Sequence, residues 1–412
     1  MAGLVGAAEL YLKGWRPEGR RLVAISNSGA SCVMAADLAE ELGLPLASFA
    51  EATRRDLAAV LPGFATTANP IDITAALLSN SRLFGAILPI VAKDPAADLF
   101  LIAIPVAGQG YDVDAFARDA ADFAAVTGKP VAVAAPQAIV AERFRAAGVP
   151  TFAGETEAVM ALDQLARHWE LLRRPPAPPL PSLKLEVPPG TGRFLNEAES
   201  LALVAAHGLP VVDHRLCRSE SEVRIAFREL GSPVAVKACS AEVPHKSEHG
   251  LVALDLVSEE AVVQAFAAQL AKLAAMGVTA DGIIIAAMAA GRHEFMLGAK
   301  LDPVFGPVVM IGDGGKYVEA LPDVALLLPP FSHADAVAAV KSLHIAPILA
   351  GVRGEPALDI DALAHAALKL GAIICSAQGR IAAIDINPAL VDAEGQGVTI
   401  VDALVERVVE TR

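Results

Sequence analysis

Cysteine is scarce. The chain has four in 412 residues (Cys32, Cys217, Cys239 and Cys375), far apart and never in CxxC spacing. That excludes a disulfide framework and a zinc ribbon, and it predicts buried thiols in a reducing compartment. Positive charge is also in deficit: 33 Lys and Arg stand against 47 Asp and Glu, a formal net charge of -14. Nucleic acid and anionic membrane need a basic surface, so neither is expected as a general partner. Long apolar runs are missing as well, although mean hydropathy is +0.48. The greasiest stretch, Ile283–Ala290, falls well short of the ~20 residues a membrane-spanning helix needs. No basic-then-apolar leader precedes a cleavage site, and the expectation is a cytoplasmic protein. Finally, no histidine occurs before His168, so the first third of the chain has no imidazole to offer as base or nucleophile.

The length suits two or three domains. From Arg21 to about Gly154, short apolar runs alternate with amphipathic segments such as Val33–Leu42 and Asp114–Val126. Candidate strands are Leu22–Ser26, Leu44–Ser48, Leu99–Val106, Val131–Ala135 and Val149–Phe152, an alternation that predicts a flavodoxin-like parallel sheet flanked by helices. After the first strand comes the turn Asn27-Ser28-Gly29-Ala30, opening a helix whose free amides and dipole favour an anion. Small residues there also serve simply to make the bend. Asn69-Pro-Ile-Asp72 reads either as a functional loop or as an Asx-type turn.

Proline concentrates in Arg173–Pro181 and again in Val187–Gly190, which predicts a semi-rigid extended linker. The expected division is a flavodoxin-type domain over 1–170, a linker over 171–192 and a second domain over 193–412.

That second domain carries the chemistry. Val234–Cys239 alternates with period two, which sets Lys237 on a face of small neighbours with room for a phosphate. A polar loop follows with His245 and Lys246 at its tip, turning back at Gly250. An imidazole beside a phosphate-gripping lysine can carry a phosphoryl group. A plain hairpin with a surface lysine and histidine is the competing reading. Glu294 opens a later strand, and Gly312-Asp-Gly314-Gly315 forms a glycine-rich turn able to lie against phosphate or simply to end a strand. Glu319 adds a carboxylate beside it. Near the C-terminus, Asp385 and Asn387 fall two apart on a strand, Asn387 held at its end by Pro388, and Asp402 follows. Hard oxygen donors of this kind suit Mg2+ bridging nucleotide phosphates. Arg353, in Gly351-Val-Arg-Gly354, either contacts phosphate or braces its turn.

Taken in order, Val236-Lys237, Pro244–Val252, Asp302–Val309, Gly312–Gly315, Val318-Glu319, Gly351–Gly354 and Asp385–Pro388 resemble the ATP-grasp half of NDP-forming acyl-CoA synthetases, relatives of succinyl-CoA synthetase. Ile25–Asp37 and Asn69–Asp72 resemble that family's ligase-associated flavodoxin-like domain. The resemblance implies ATP and Mg2+ as cofactors and CoA and a carboxylic acid as co-substrates, with ADP and phosphate released through acyl-phosphate and phosphohistidine intermediates. By the same likeness Lys237 binds ATP phosphate and His245 is the shuttle histidine of a swinging loop. Asn387 and Asp402 ligate Mg2+ with Asp385 close by, and Asn27–Ala30 is the turn that stabilises phosphohistidine. Lys246, Glu294, Gly312, Gly314, Gly315, Glu319 and Arg353 complete the nucleotide side.

Two positions depart from the pattern: Leu327 where relatives often carry arginine, and Ala286 where glutamine is frequent. Full-length relatives also begin with a CoA-binding domain and a second domain bearing the primary catalytic histidine, and neither is recognisable here. The expectation is therefore a subunit or fragment, in a homo- or hetero-oligomer, that draws on a separate CoA-binding, phosphohistidine-bearing subunit. A catalytically silent nucleotide-binding scaffold and an amide-forming ATP-grasp ligase are the alternatives.

Overall fold

The structure is a computed structural model that describes residues 2–73, 76–188, 192–243, 246, 249–315 and 322–409. The chain divides into two compact units, Met1–Pro175 and Pro176–Arg412.

In the first unit, strands β1 (Leu22–Ser26), β2 (Ile71–Asp72), β3 (Leu99–Ala103), β4 (Val131–Ala134) and β5 (Thr151–Phe152) form a parallel sheet in the order β2-β1-β3-β4-β5. This is the flavodoxin-like order. Every residue of β1 is buried, because helices cover both faces and leave no polar side. Leu22 and Ala24 join a core with helices Gly29–Glu41 and Glu155–Arg173, whereas Val23 and Ile25 join one with Arg82–Ala92 and Val113–Thr127. The expected strand Leu44–Ser48 is corrected here: it contributes one isolated bridge, Leu22 to Leu46. The place beside β1 belongs to Ile71–Asp72, at the end of the Asn69–Asp72 motif. Asn69 locks that edge, its Oδ1 accepting from Ala24 N at 2.9 Å and its Nδ2 donating to Leu22 O at 2.7 Å.

The second unit contains two antiparallel sheets. The smaller joins β6 (His214–Cys217), β7 (Val234–Cys239), β8 (Val252–Leu256) and β9 (Gly282–Ala287) in the order β6-β9-β7-β8. The larger runs β12-β11-β10-β13-β14, from β10 (His293–Asp302), β11 (Gly306–Asp313), β12 (Val324–Leu327), β13 (Ile381–Val391) and β14 (Val398–Ile400), with β15 (Leu404–Arg407) on β13. Helices Glu220–Leu230 and Glu259–Ala275 cover the small sheet, and His333–Lys341 with Ile360–Ser376 cover one face of the large one.

Two further expectations change. The proline-rich stretch is extended, but its second part packs: Leu183, Leu185 and Val187, at period two, join the core of the second unit. Nor does a strand end at Asn387. β13 continues to Val391 through a bulge: Leu297 pairs with Ile386 and Phe295 with Ala389, leaving Asn387 and Pro388 opposite Met296 alone. Ile384 and Ile386 are buried before the bulge, Ala389 and Val391 after it.

Among the described residues, no helix is long and apolar enough to cross a membrane.

Candidate nucleotide and phosphate site

Asn196 caps helix Glu197–Ala206 through a capping box with Glu199, which fixes Glu197 in the first turn. From there its carboxylate reaches into the unit, where its side chain is 1% exposed. Its Oε1 accepts from Lys237 Nζ at 2.9 Å and its Oε2 lies 2.7 Å from Lys246 Nζ. Lys237 also donates to Val401 O at 2.8 Å. Both ammonium groups approach the same oxygen of Asp402, Oδ2, at 3.7 Å from Lys237 and 3.5 Å from Lys246. The buried Lys237, Lys246 and Glu197 and the part-exposed Asp402 thus form one knot. The room expected in front of Lys237 is filled by Glu197 and Val401.

The environment moves these groups apart. Burial opposes a charge on Glu197, yet the two lysines outweigh it and hold the carboxyl below its usual range. Burial also works against Lys246, but Glu197 and Asp402 raise it above an ordinary lysine. Asp402 goes the other way: burial and the charge of Glu197 push it up, against both lysines.

Asp402 is tied to the β13 bulge. Val401 N donates to Pro388 O at 3.1 Å, so Asn387 and Asp402 flank a single hydrogen bond. Asp385 pairs in register with Leu404 across β13 and β15. Asp385 and Asn387 are both exposed on the same face while Ile386 between them is buried, as the period of two requires.

That face continues onto β10 and β11. Gly298 lies opposite both Asp385 and Met310. An open cavity of about 760 Å³ covers it, lined by Met296, Met310, Leu326, Ala383 and Asp385 among others. Farther along, Glu294 marks the polar end of the same face. A Cβ on Gly314 would fall 2.7 Å from Glu294 O, and one on Gly315 3.0 Å from Glu294 Oε2. The glycine-rich turn is therefore shorter than expected. Gly312 and Asp313 belong to β11, and glycine is required at Gly312 and Gly314 because neighbouring strands press on them.

Other expected residues are placed as follows. His245 and Glu319 lie outside the described residues. Arg353 is exposed in its turn with φ 54°, and no hydrogen bond or ion pair links it to the lysine knot among the described residues. In the first unit, Asn27 Nδ2 donates to Val106 O at 2.7 Å and Ser28 N donates to Ser26 Oγ at 3.0 Å. Ser28 precedes helix Gly29–Glu41, whose second residue Ala30 is exposed. The carboxylate of Asp72 lies beside the first residue of that helix: a Cβ on Gly29 would meet Asp72 Oδ2 at 2.9 Å.

Sequence reasoning missed Glu197 altogether, since an acid in the first turn of a helix is ordinary. It also assigned no role to His293, whose Nε2 lies 2.7 Å from Asp313 Oδ1, one residue before the glycine turn.

No three of His, Cys, Asp and Glu converge as a metal site among the described residues. The donors near the bulge nevertheless fit Mg2+: they are hard oxygens, few in number, and Asp402 already draws two cations. Mg2+ commonly takes one or two protein carboxylates and fills the rest with water and phosphate oxygens.

Residues 189–406 match the model of an ATP-grasp domain. A trans-feruloyl-CoA synthase from an unidentified prokaryote is 31% identical over 97% of this chain and 58% of its own length, so the chain spans little more than half of that relative. The beta subunit of an ADP-forming acetate–CoA ligase from Pyrococcus furiosus is 33% identical over 50% of this chain and 89% of its own. Among solved structures, acetyl-coenzyme A synthetase 1 of Candidatus Korarchaeum cryptofilum, in complex with coenzyme A and Ca-AMPCP, superposes with a TM-score of 0.50. It is 33% identical, over 52% of this chain and 94% of that one. With more than half of its length matching that domain and with ADP-forming CoA ligases as its relatives, this chain belongs to the ATP-grasp family.

Proposed function

We propose that this chain is the nucleotide-handling part of an ADP-forming acyl-CoA synthetase, which converts an acid, CoA and ATP to acyl-CoA, ADP and phosphate. The observation that carries the reading is the lysine knot, set against the oxygen donors at the β13 bulge in an ATP-grasp fold. Lys237 and Lys246 are assigned to phosphate oxygens by likeness, although Glu197 and Val401 hold Lys237 and Glu197 holds Lys246 in this structure, and the apolar cavity beyond Asp385 suits the base. Asn387 and Asp402 would hold Mg2+, with Asp385 close by; when bound, the ion neutralises charge on the transferring phosphate. Glu294 and the turn Gly312–Gly315 border the polar end, and Glu319 and Arg353 are assigned to the nucleotide side by likeness alone.

His245 takes the γ-phosphoryl group. Its imidazole nitrogen forms a bond to phosphorus while the bond to the β,γ-bridging oxygen breaks, and ADP leaves with that electron pair. The turn Asn27–Ala30 is proposed to receive the phosphohistidine. Acyl phosphate formation and thioester formation would use a CoA-binding, phosphohistidine-bearing segment or subunit; that the Pyrococcus furiosus relative is itself named a beta subunit supports such a division of labour. The acid is not assigned.

The test is transfer of label from γ-labelled ATP to the purified chain with Mg2+. Label that is lost in acid, kept in base and absent from His245→Ala is the expected result. These 412 residues alone should make no acyl-CoA from acetate. Label that persists in His245→Ala, or acyl-CoA formed by the lone chain, would overturn the reading.

A further inference from the structure

Lys237 is held at both ends. Its backbone pairs with Val252 of β8 on one side and Ile284 of β9 on the other. Its side chain is 5% exposed, and the ammonium donates to Glu197 Oε1 at 2.9 Å and to Val401 O at 2.8 Å, with Asp402 Oδ2 at 3.7 Å. An ammonium has three donors, and three oxygens of this chain surround it. To bind phosphate it would have to leave one of them, and leaving Glu197 strips a partner from a buried carboxylate, which is unfavourable.

Val401 is where that lysine meets the candidate metal donors. Its carbonyl accepts from Lys237 and its amide donates to Pro388 O at 3.1 Å, so it stands between Asp402, next along the chain, and the bulge residues Asn387-Pro388. Ile400, one residue earlier, is held on both sides: its amide donates to Pro210 O at 2.7 Å and its carbonyl accepts from Val212 N at 2.9 Å. β14 ends at Ile400, and the Lys237 contact carries the anchoring one residue further, to the carbonyl that precedes Asp402.

We propose that Lys237 is a positioning residue for the metal side of the site: by holding Val401 it sets Asp402 and Asn387 relative to each other, and it does not bind nucleotide phosphate. This rests on the Mg-nucleotide reading above and departs from the phosphate role that likeness gives to Lys237. A hydrogen bond from an ammonium to a backbone carbonyl is charge-assisted and strong for its kind. Groups that orient metal ligands without touching the ion commonly change metal affinity by about 10–100-fold when lost.

Calorimetric affinity for ADP, measured on the full chain once in EDTA and once with saturating Mg2+, separates the two roles. Lys237→Met should bind ADP in EDTA within about threefold of the unaltered chain, while the gain on adding Mg2+ falls at least about tenfold. Asn387→Ala should show the same pattern. Adding Lys237→Met to it should change the gain by less than about threefold further, because both act on one ion. If Lys237→Met does not fold, Lys237→Met combined with Glu197→Gln removes both charges of the ion pair together and takes its place. An equal fall in EDTA and in Mg2+ would make Lys237 a phosphate ligand and overturn this assignment. So would an undiminished gain from Mg2+ in the variant. If the unaltered chain itself gains nothing from Mg2+, the metal reading fails and the positioning role fails with it; the two failures are told apart because that one appears without any substitution.

Discussion

Glu197 shows how a residue with no chemistry of its own can organise a site. Lys237 and Lys246 would repel each other within a buried pocket; the carboxylate between them makes their proximity tolerable. Replacing it with alanine leaves two ammonium groups sharing the single, more distant oxygen of Asp402. We expect Glu197→Ala to lose about 3 kcal/mol of stability, at the low end for breaking a buried ion pair, read as a lower urea midpoint. None of this is visible in the sequence. Glu197 and Lys237 are forty residues apart, and the pairing depends on how the helix cap aims the first turn. Lys237 stood out as the one cation in its strand, but period two suggested open room in front of it, and its burial against Glu197 and Val401 could not be read from the sequence.

At the scale of the element, β10, β11 and β13 do most to shape the candidate site, and they do so by close approach of backbones. A methyl group on Gly312 would fall 2.7 Å from Val324 Cγ1 and 2.9 Å from Asp323 O. Gly312→Ala should therefore push β11 from β12 and cost about 1–3 kcal/mol by overpacking, measured again by urea unfolding. It should also weaken Mg-nucleotide binding if the turn that follows is moved. Strands with uniform burial, such as Leu22–Ser26 and Val131–Ala134, could be read directly from their apolar runs. Ile71–Asp72 could not: two residues are too few to carry a period, and only the pairing to β1 defines them. Leu44–Ser48 has the composition of a strand, but it meets β1 at a single bridge.

Across the whole molecule, each unit keeps at least one buried carboxylate as an anion. For Asp94, burial is outweighed by hydrogen bonds from Thr53 and from the amides of Ala96 and Ala50; for Asp323, by those from His344 and Ile345. Both are held below the usual carboxyl value of 3.8. A depressed folded value means that the stabilisation is complete above the unfolded value, about 3.9, and is lost as pH falls through the folded one. The thermal midpoint should thus be flat from about pH 7 to 5 and fall below about pH 4. Asp94→Asn and Asp323→Asn should each lower the midpoint at neutral pH and make the acid limb shallower. The two units meet within the proline-dense stretch, and the share of that stretch that packs in the second unit depends on Leu183, Leu185 and Val187 finding a core that composition alone does not reveal.

The bulge in β13 has a consequence for how this strand can change. Around the bulge, the even-numbered Ile384 and Ile386 face the core before it and the odd-numbered Ala389 and Val391 after it, so this part of the strand holds two phases joined at Asn387-Pro388. Losing one residue well away from that seam would throw one phase out of step and expose its share of the core. At the seam itself the backbone answers to neither phase, so the aim of exposed Asn387 is not dictated by core packing on either side.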